Sequence, residues 1–420
     1  MTKSNRMYLL AAIFFIVAPL SVSGDASTGI KYVRLALSAA MVGVGIFVYQ
    51  AESFRSTSKA FVFFAVFFTA GALWCDKIGW GIFNKGMFLM ATLSGVYMAY
   101  TTKSEEQLSA GLKMLALSGM IAGFLLFGAY LANPEDNTAG DRLAVGGMNA
   151  NTIGAAAGPM FIFSFFLGLW QTEFKLRIIS FVSSILLAIV ILGSGSRGAT
   201  LMAIVGTLIA TKPFLQKKAS TVILCVAIPL GGLQIVALTT GESVLSKIPG
   251  AERIFEGGNK KNTRDGMWTW TFKQYKKSPI IGIGWLHFGN SSANCHNAFL
   301  QILTEVGIIG SAIFLSFFVQ FLVRMRDVKY DLQGTSHPEL VALPVGLLAS
   351  LAIHGMVEAS VLLGTTALPI LLGYSVALVD RLPDILNKEN GPQPTEVAKP
   401  AIPRLEIRSA RDWREQQART

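Results

Sequence analysis

Apolar runs with few or no charges recur along the chain, near 7–23, 33–50, 60–75, 86–102, 110–131, 150–172, 178–195, 198–211, 219–240, 297–323, 340–358 and 361–379. A helix rising 1.5 Å per residue needs about 20 such residues to cross a hydrocarbon core, and most of the runs approach that length. The pattern predicts an all-α, polytopic membrane protein with about twelve transmembrane helices over residues 1–380. The first run follows Lys3 and Arg6 and ends at Ser23-Gly24 in the manner of a signal peptide, but the expectation is a retained first helix.

Two stretches depart from the pattern. A long polar segment, 242–295, separates the ninth run from the tenth. Past Asp380, five prolines (Pro383, Pro392, Pro394, Pro400 and Pro403) fall among Lys, Arg and Glu. Such a composition cannot bury enough apolar surface to fold alone, so 381–420 is expected to be a basic, disordered cytoplasmic tail.

Charge sets the sidedness. With the N-terminus inside, inside segments hold Lys3, Arg6, Arg55, Lys59, Lys103, Lys113, Lys175, Arg177, Lys212, Lys217, Lys218, Arg324, Arg326 and Lys329. Outside short loops hold only Lys31, Arg34, Lys77, Lys85, Arg142 and Arg197. The bias places both termini in the cytoplasm and 242–295 on the opposite face.

Composition agrees: 52% of residues are hydrophobic and 15% charged, with a mean hydropathy of +0.51. The net charge of +11 is spread through short loops and the tail, so membrane lipids rather than nucleic acid are the expected counter-charge. Cys75, Cys225 and Cys295 form no CxxC pair and no even-numbered framework.

Against the positive-inside bias, three outward arginines stand out. Arg142 precedes Gly146-Gly147-Met148-Asn149-Ala150-Asn151; Arg197 sits in the tight turn Gly193-Ser194-Gly195-Ser196-Arg197-Gly198; Arg264 lies in the long segment before Trp268. A guanidinium presents a planar fork of donors suited to phosphate oxygens, and the glycines beside Arg197 let backbone N–H groups approach the same anion. Three such sites on one face suggest a diphosphate. The plainer reading of each arginine alone is a side chain reaching to lipid headgroups.

His296 stands where the polar segment meets the tenth run, at a membrane surface, on the first turn of the predicted helix, where an imidazole can reach a water-borne substrate while held by a rigid element. His287 and His337 read as solvated loop residues, and His354 with Glu358 as a helix-to-helix hydrogen bond or a support to the site. Glu305 falls about 13 Å further along the helix than His296, where an acid is functional or bonds a neighbouring helix; Gly307 and Gly310 favour close packing. Trp268, Trp270, Phe272, Tyr275, Trp285 and Phe288 suit an interfacial belt, with Trp268 or Trp285 as candidates to line a glycan path. No Asp-x-Asp pair occurs in the outer loops, and HExxH, Gly-x-Ser-x-Gly and P-loop patterns are missing, which disfavours a metal-dependent or nucleotide-using enzyme.

Taken together, His296-Asn297, Leu300, Leu303 and Glu305-Val306-Gly307-Ile308-Ile309-Gly310 resemble the signature closing the outer loop of O-antigen ligases and their polymerase-like relatives. Pro279-Ile280-Ile281-Gly282-Ile283-Gly284 is similar to that family's Pro-x-x-Gly-x-Gly segment, and Ser196-Arg197 to its Ser-Arg motif. Arg142 through Asn151 resembles a family element ending Asn-Pro-Asn, with Ala150 in place of proline.

The resemblance implies a GT-C-like fold with one large periplasmic loop containing short helices. It also implies transfer of a glycan from undecaprenyl-diphosphate-linked O-antigen to a hydroxyl of the lipid A-core oligosaccharide, in lipopolysaccharide biosynthesis at the bacterial inner membrane. His296 would be the base and Arg142, Arg197 and Arg264 the diphosphate ligands, with Asn297 and Glu305 in support and neither cofactor nor metal required. O-antigen polymerases and protein O-oligosaccharyltransferases share the donor and stay open as alternatives. A transporter of lipid-linked anions is the alternative of another class, expected to carry ionisable residues near the bilayer midplane.

Overall fold

The computed structural model describes residues 2–17, 25–48, 54–132, 138, 142–145, 149–215, 264–288, 291–292, 295–332, 337–363 and 366–387. These form α1 (Lys3–Val17), α2 (Asp25–Val48), α3 (Ser56–Ala70), α4 (Ile78–Thr101), α5 (Glu105–Ala132), α6 (Ala150–Trp170) and α7 (Phe174–Gly193). They continue with α8 (Arg197–Leu215), α9 (Arg264–Tyr275), α10 (Ala298–Asp331), α11 (Ala342–Val357) and α12 (Leu368–Asn387). A two-residue hairpin, β1 (His287–Phe288) with β2 (Ser291–Ser292), is the one sheet among the described residues.

Among the described residues, seven stretches are long and apolar enough to cross a membrane: Ser56–Trp74, Glu105–Ala132, Ala150–Trp170, Phe174–Gly193, Arg197–Leu215, Ala298–Asp331 and Glu339–Val357. The chain thus has the all-helical build of a polytopic membrane protein. The predicted run at 219–240 and, within the 242–295 segment, residues 242–263, 289–290 and 293–294 lie outside the described residues; the other runs coincide with helices, at least in part.

The core is aromatic. Phe61 meets Phe317 at 4.8 Å, Phe64 meets Phe314 at 5.0 Å and Phe68 meets Phe88 at 5.1 Å, joining α3 to α10 and α4. Phe63, Ile179, Leu208 and Leu315 point outward and exposed, the positions a bilayer would cover. At one end of the bundle Asp380 Oδ2 accepts from Ser58 N (2.8 Å) and Oγ (2.6 Å), Arg324 lies 3.3 Å from its other oxygen, and Arg55 pairs with Asp384. This network explains why α12 runs through Pro383 to Asn387, past the boundary expected at Asp380. Arg381 and Asp384 pair one turn apart at 2.6 Å within the helix, and Ile385 and Leu386 are buried.

Two histidines expected to be solvated are engaged instead. His337 sits 3.0 Å from both Glu105 and Glu339, against Trp170, and His287 stacks on Trp285 at 4.8 Å.

The tenth predicted helix is not continuous. Gly307 interrupts α10 with φ 62° and ψ −164°, a conformation open essentially to glycine alone. The break frees carbonyls on one side and N–H groups on the other, and the segment 279–284 satisfies both. Ile283 N donates to Thr304 O (2.9 Å) and Gly284 N to Glu305 O (2.8 Å), while Ile308 N donates to Pro279 O (2.9 Å) and Ile309 N to Ile280 O (3.1 Å). A Cβ on Gly282 would strike the Glu305 backbone, and one on Gly307 the Ile280 carbonyl.

Beneath the break lies a buried ion pair. Lys85, expected in an outer loop, is instead inside α4, because that helix starts at Ile78, eight residues ahead of the predicted run. Its Nζ lies 2.9 Å from Glu305 Oε2, donates to Phe68 O (2.9 Å) and covers the Phe68 ring at 3.5 Å. Glu305 Oε1 accepts from Leu286 N (3.1 Å) and Gln301 Nε2 (3.0 Å). Both charges are compensated inside the protein.

Gly307→Ala is expected to cost at least about 1–3 kcal/mol from the backbone alone, read as a lowered thermal unfolding temperature in detergent. Lys85→Met strands the Glu305 charge and should cost roughly 3–5 kcal/mol. Adding Glu305→Gln should recover part of that loss in the same measurement.

Candidate active site at the His296 turn

His296 precedes α10 in the left-handed region, φ 55°, the one non-glycine residue with positive φ among those described. It is therefore ahead of the helix rather than on its first turn, at a cost that a non-glycine residue bears only when its surroundings hold it there. The next residue fixes the helix start: Asn297 is the N-cap, its side-chain oxygen accepting from Leu300 N at 2.9 Å, while its amide donates to Met356 O at 3.3 Å.

The imidazole is gripped from α11. That helix ends at Val357, and Glu358, in extended conformation, places Oε1 2.8 Å from His296 Nδ1. Glu358 is 5% exposed at its side chain and His296 30%, so the carboxylate is sheltered and the ring is open on one side. A carboxylate against Nδ1 takes that proton as a hydrogen bond and leaves Nε2 of a neutral ring as the lone-pair nitrogen. The arrangement can accept a proton at Nε2 and stabilise the imidazolium that results.

A chain of bonds extends from this pair. Asn151 Nδ2 donates to the same Glu358 oxygen (2.8 Å), and Asn151 Oδ1 accepts from the Arg142 guanidinium (2.6 Å). Arg142 Nε donates to Ser194 O (2.7 Å), in the turn that leads to Arg197. Ala150 in place of proline leaves the element intact: Asn149 caps α6 by accepting from Asn151 N at 2.9 Å.

Arg197 opens α8 and is exposed, with Ser196 Oγ accepting from Ala199 N (3.3 Å) behind it. Gly198 packs against His354, whose Nε2 is 2.8 Å from Ser360 Oγ. Arg264, opening α9, lies near enough for its charge to act on that same imidazole. The turns bearing Arg142 and Arg197 thus meet near the His354–Glu358 end of α11, and α9, which opens with Arg264, is tied to the residue before His296 through Trp268.

The remaining candidates sit behind this face. Trp268 is 37% exposed and donates from Nε1 to Cys295 O (2.8 Å), pinning the residue before His296. Trp285 is buried against His287, its ring face occupied. Glu305 supports the Leu286 backbone instead of touching His296. Cys295 is fully buried; desolvation first, then the Glu305 and Glu358 charges, push its thiol up to about 12, so it is no nucleophile at neutral pH.

Sequence reasoning named Glu358 only as a partner of His354. Its pairing with His296, 62 residues away, depends on where α11 ends. The signal was an acid at an outer helix end, four residues past a histidine.

Residues 182–315 match the family model described as O-Antigen ligase, a stretch containing Arg197, Arg264, His296, Asn297 and Glu305 and leaving out Arg142, Asn151 and Glu358. No curated protein matches the chain.

Because its thiol stays protonated up to about pH 12, Cys295 should remain unmodified by iodoacetamide at pH 8 in the folded protein and react only after denaturation. Peptide mass mapping reads this directly.

Proposed function

On the premise that this chain is an O-antigen ligase-family protein over residues 182–315, we propose that it transfers the O-antigen glycan from undecaprenyl diphosphate to a hydroxyl of the lipid A-core oligosaccharide. The family covers O-antigen ligases and polymerases, which are membrane glycosyltransferase-like enzymes. The observation that carries the proposal is the His296–Glu358 pair at 2.8 Å, linked through Asn151 and Arg142 to the turn that leads to Arg197.

In this reading His296 Nε2 takes the proton of the acceptor hydroxyl as its oxygen attacks the anomeric carbon of the first O-antigen sugar. The bond from that carbon to the diphosphate oxygen breaks, its electrons stay on the diphosphate, and the configuration inverts. Arg142, Arg197 and Arg264 hold the leaving diphosphate, as fixed positive charge aimed at a developing anion. Glu358 fixes the tautomer and steadies the imidazolium; Asn151 fixes Glu358 and ties it to Arg142. The full topology proposed has about twelve spans, cytoplasmic termini and the site on the periplasmic face of the inner membrane.

The test is in-vitro transfer with purified protein, undecaprenyl-diphosphate-linked O-antigen and lipid A-core. Wild type should place glycan on lipid A-core. His296→Ala should lose about 10²–10⁴-fold in rate, and Arg197→Ala should lose transfer while remaining folded. Full activity in His296→Ala would sink its role as base, and lengthened carrier-linked glycan with none on lipid A-core would make the protein a polymerase.

Glu358→Gln should leave the fold intact but slow transfer, and shift the pH–rate profile of the base. A merely structural Glu358 would leave that profile unmoved.

A further inference from the structure

The aromatic and cationic face of α9 has no task in the transfer step. Trp268 (37% exposed) and Phe272 (47% exposed) stand one turn apart, and Thr269, Lys273 and Lys276 beside them are exposed. With Leu300 of α10 they line a groove of about 490 Å³. Lys276 Nζ lies 5.8 Å from the centre of the Phe272 ring. Aromatic floor and ammonium rim together suit a sugar that carries an anionic group: the rings cover its apolar face and the lysines meet the charge.

Position narrows the occupant. Lys273 is nine residues past Arg264, about 13 Å along the helix axis, with Lys276 almost a turn further, too far for one diphosphate to span both ends. The groove also adjoins the His296 turn through contacts separate from those of Glu358 and Arg142. Glu358 and the Arg142–Asn151 link grip His296 through Nδ1, whereas the groove is joined to the His296 turn by Trp268 Nε1 on Cys295 O and by Leu300, whose N–H caps on Asn297. An inverting displacement needs the attacking hydroxyl opposite the leaving diphosphate.

The geometry points to this groove as the acceptor subsite, binding a phosphate-bearing sugar of the acceptor oligosaccharide through Trp268, Phe272, Lys273 and Lys276. This assignment rests on the glycan-transfer reading, and it deepens that reading by giving the acceptor its own charged anchor.

The test measures binding apart from transfer. Delipidated, phosphate-bearing core oligosaccharide is titrated into the full chain in detergent by calorimetry, beside the same sugar after phosphatase treatment. Lys273→Ala/Lys276→Ala should raise Kd about tenfold or more, phosphatase treatment should do the same to wild type, and the two changes together should add little further. Equal Kd for the two sugars in wild type overturns the subsite even where the variant fails to fold. So does a variant that binds the sugar normally but loses affinity for phosphatidylglycerol vesicles, which would make α9 a membrane anchor. Transfer to lipid A-core is scored separately. Phosphate-dependent binding without transfer fails the ligase reading and keeps the groove; transfer with phosphate-indifferent binding fails the groove alone.

Discussion

Everything around the His296 turn depends on the broken helix at Gly307. A spanning helix interrupted there exposes backbone groups that cost several kcal/mol each in an apolar setting. The segment 279–284 removes that cost by donating to Thr304 and Glu305 and accepting from Ile308 and Ile309. The exchange fastens the outer segment to the bundle at a fixed register. Leu286 is then placed on Glu305, Leu286 and Cys295 close a small core with Met267, Trp270, Ile283 and Leu300, and the chain enters α10 through a strained His296.

Two acid–base pairs, which include His296 and Glu305 only nine residues apart, have opposite characters. Lys85 and Glu305 have side chains 3% and 1% exposed, each with further hydrogen bonds, so no substrate reaches them and neither can change charge without stranding its partner. That pair is a strut. His296 and Glu358 share the short separation, but the ring is 30% exposed with its Nδ1 turned to the acid, which leaves chemistry to the other nitrogen. Burial, more than residue type, separates the structural pair from the one proposed to react.

A single short helix links the two halves of the proposed reaction. α9 opens with Arg264 near the His354–Glu358 end of α11 and carries its aromatic and cationic face toward Leu300. Trp268 fastens it to the carbonyl just before His296. Any shift of α9 would therefore be felt by base, leaving-group site and groove together.

Most helices were legible because apolar runs of bilayer length admit few other structures; Arg142, Arg197 and Arg264 stood out as candidates because each breaks a local rule of charge placement, and His296 because it stands where a polar segment meets an apolar run. The glycines at 282, 284, 307 and 310 could be read as a motif, but not as two halves of one hydrogen-bonded splice, since the pairing joins segments about 25 residues apart. Lys85 was misplaced because its compensating charge, Glu305, is 220 positions away and no window along the chain contains both. Likewise α12 outlasted its composition because Ser58, Arg55 and Arg324 hold its last turns from other helices. The sequence by itself determined which segments leave water and which side chains are candidates for chemistry, for both follow from local composition. Only the tertiary structure decided the partners, placing Glu358 on His296 and Asn151 on Glu358, because a hydrogen bond depends on atoms brought within 3 Å and not on their order in the chain.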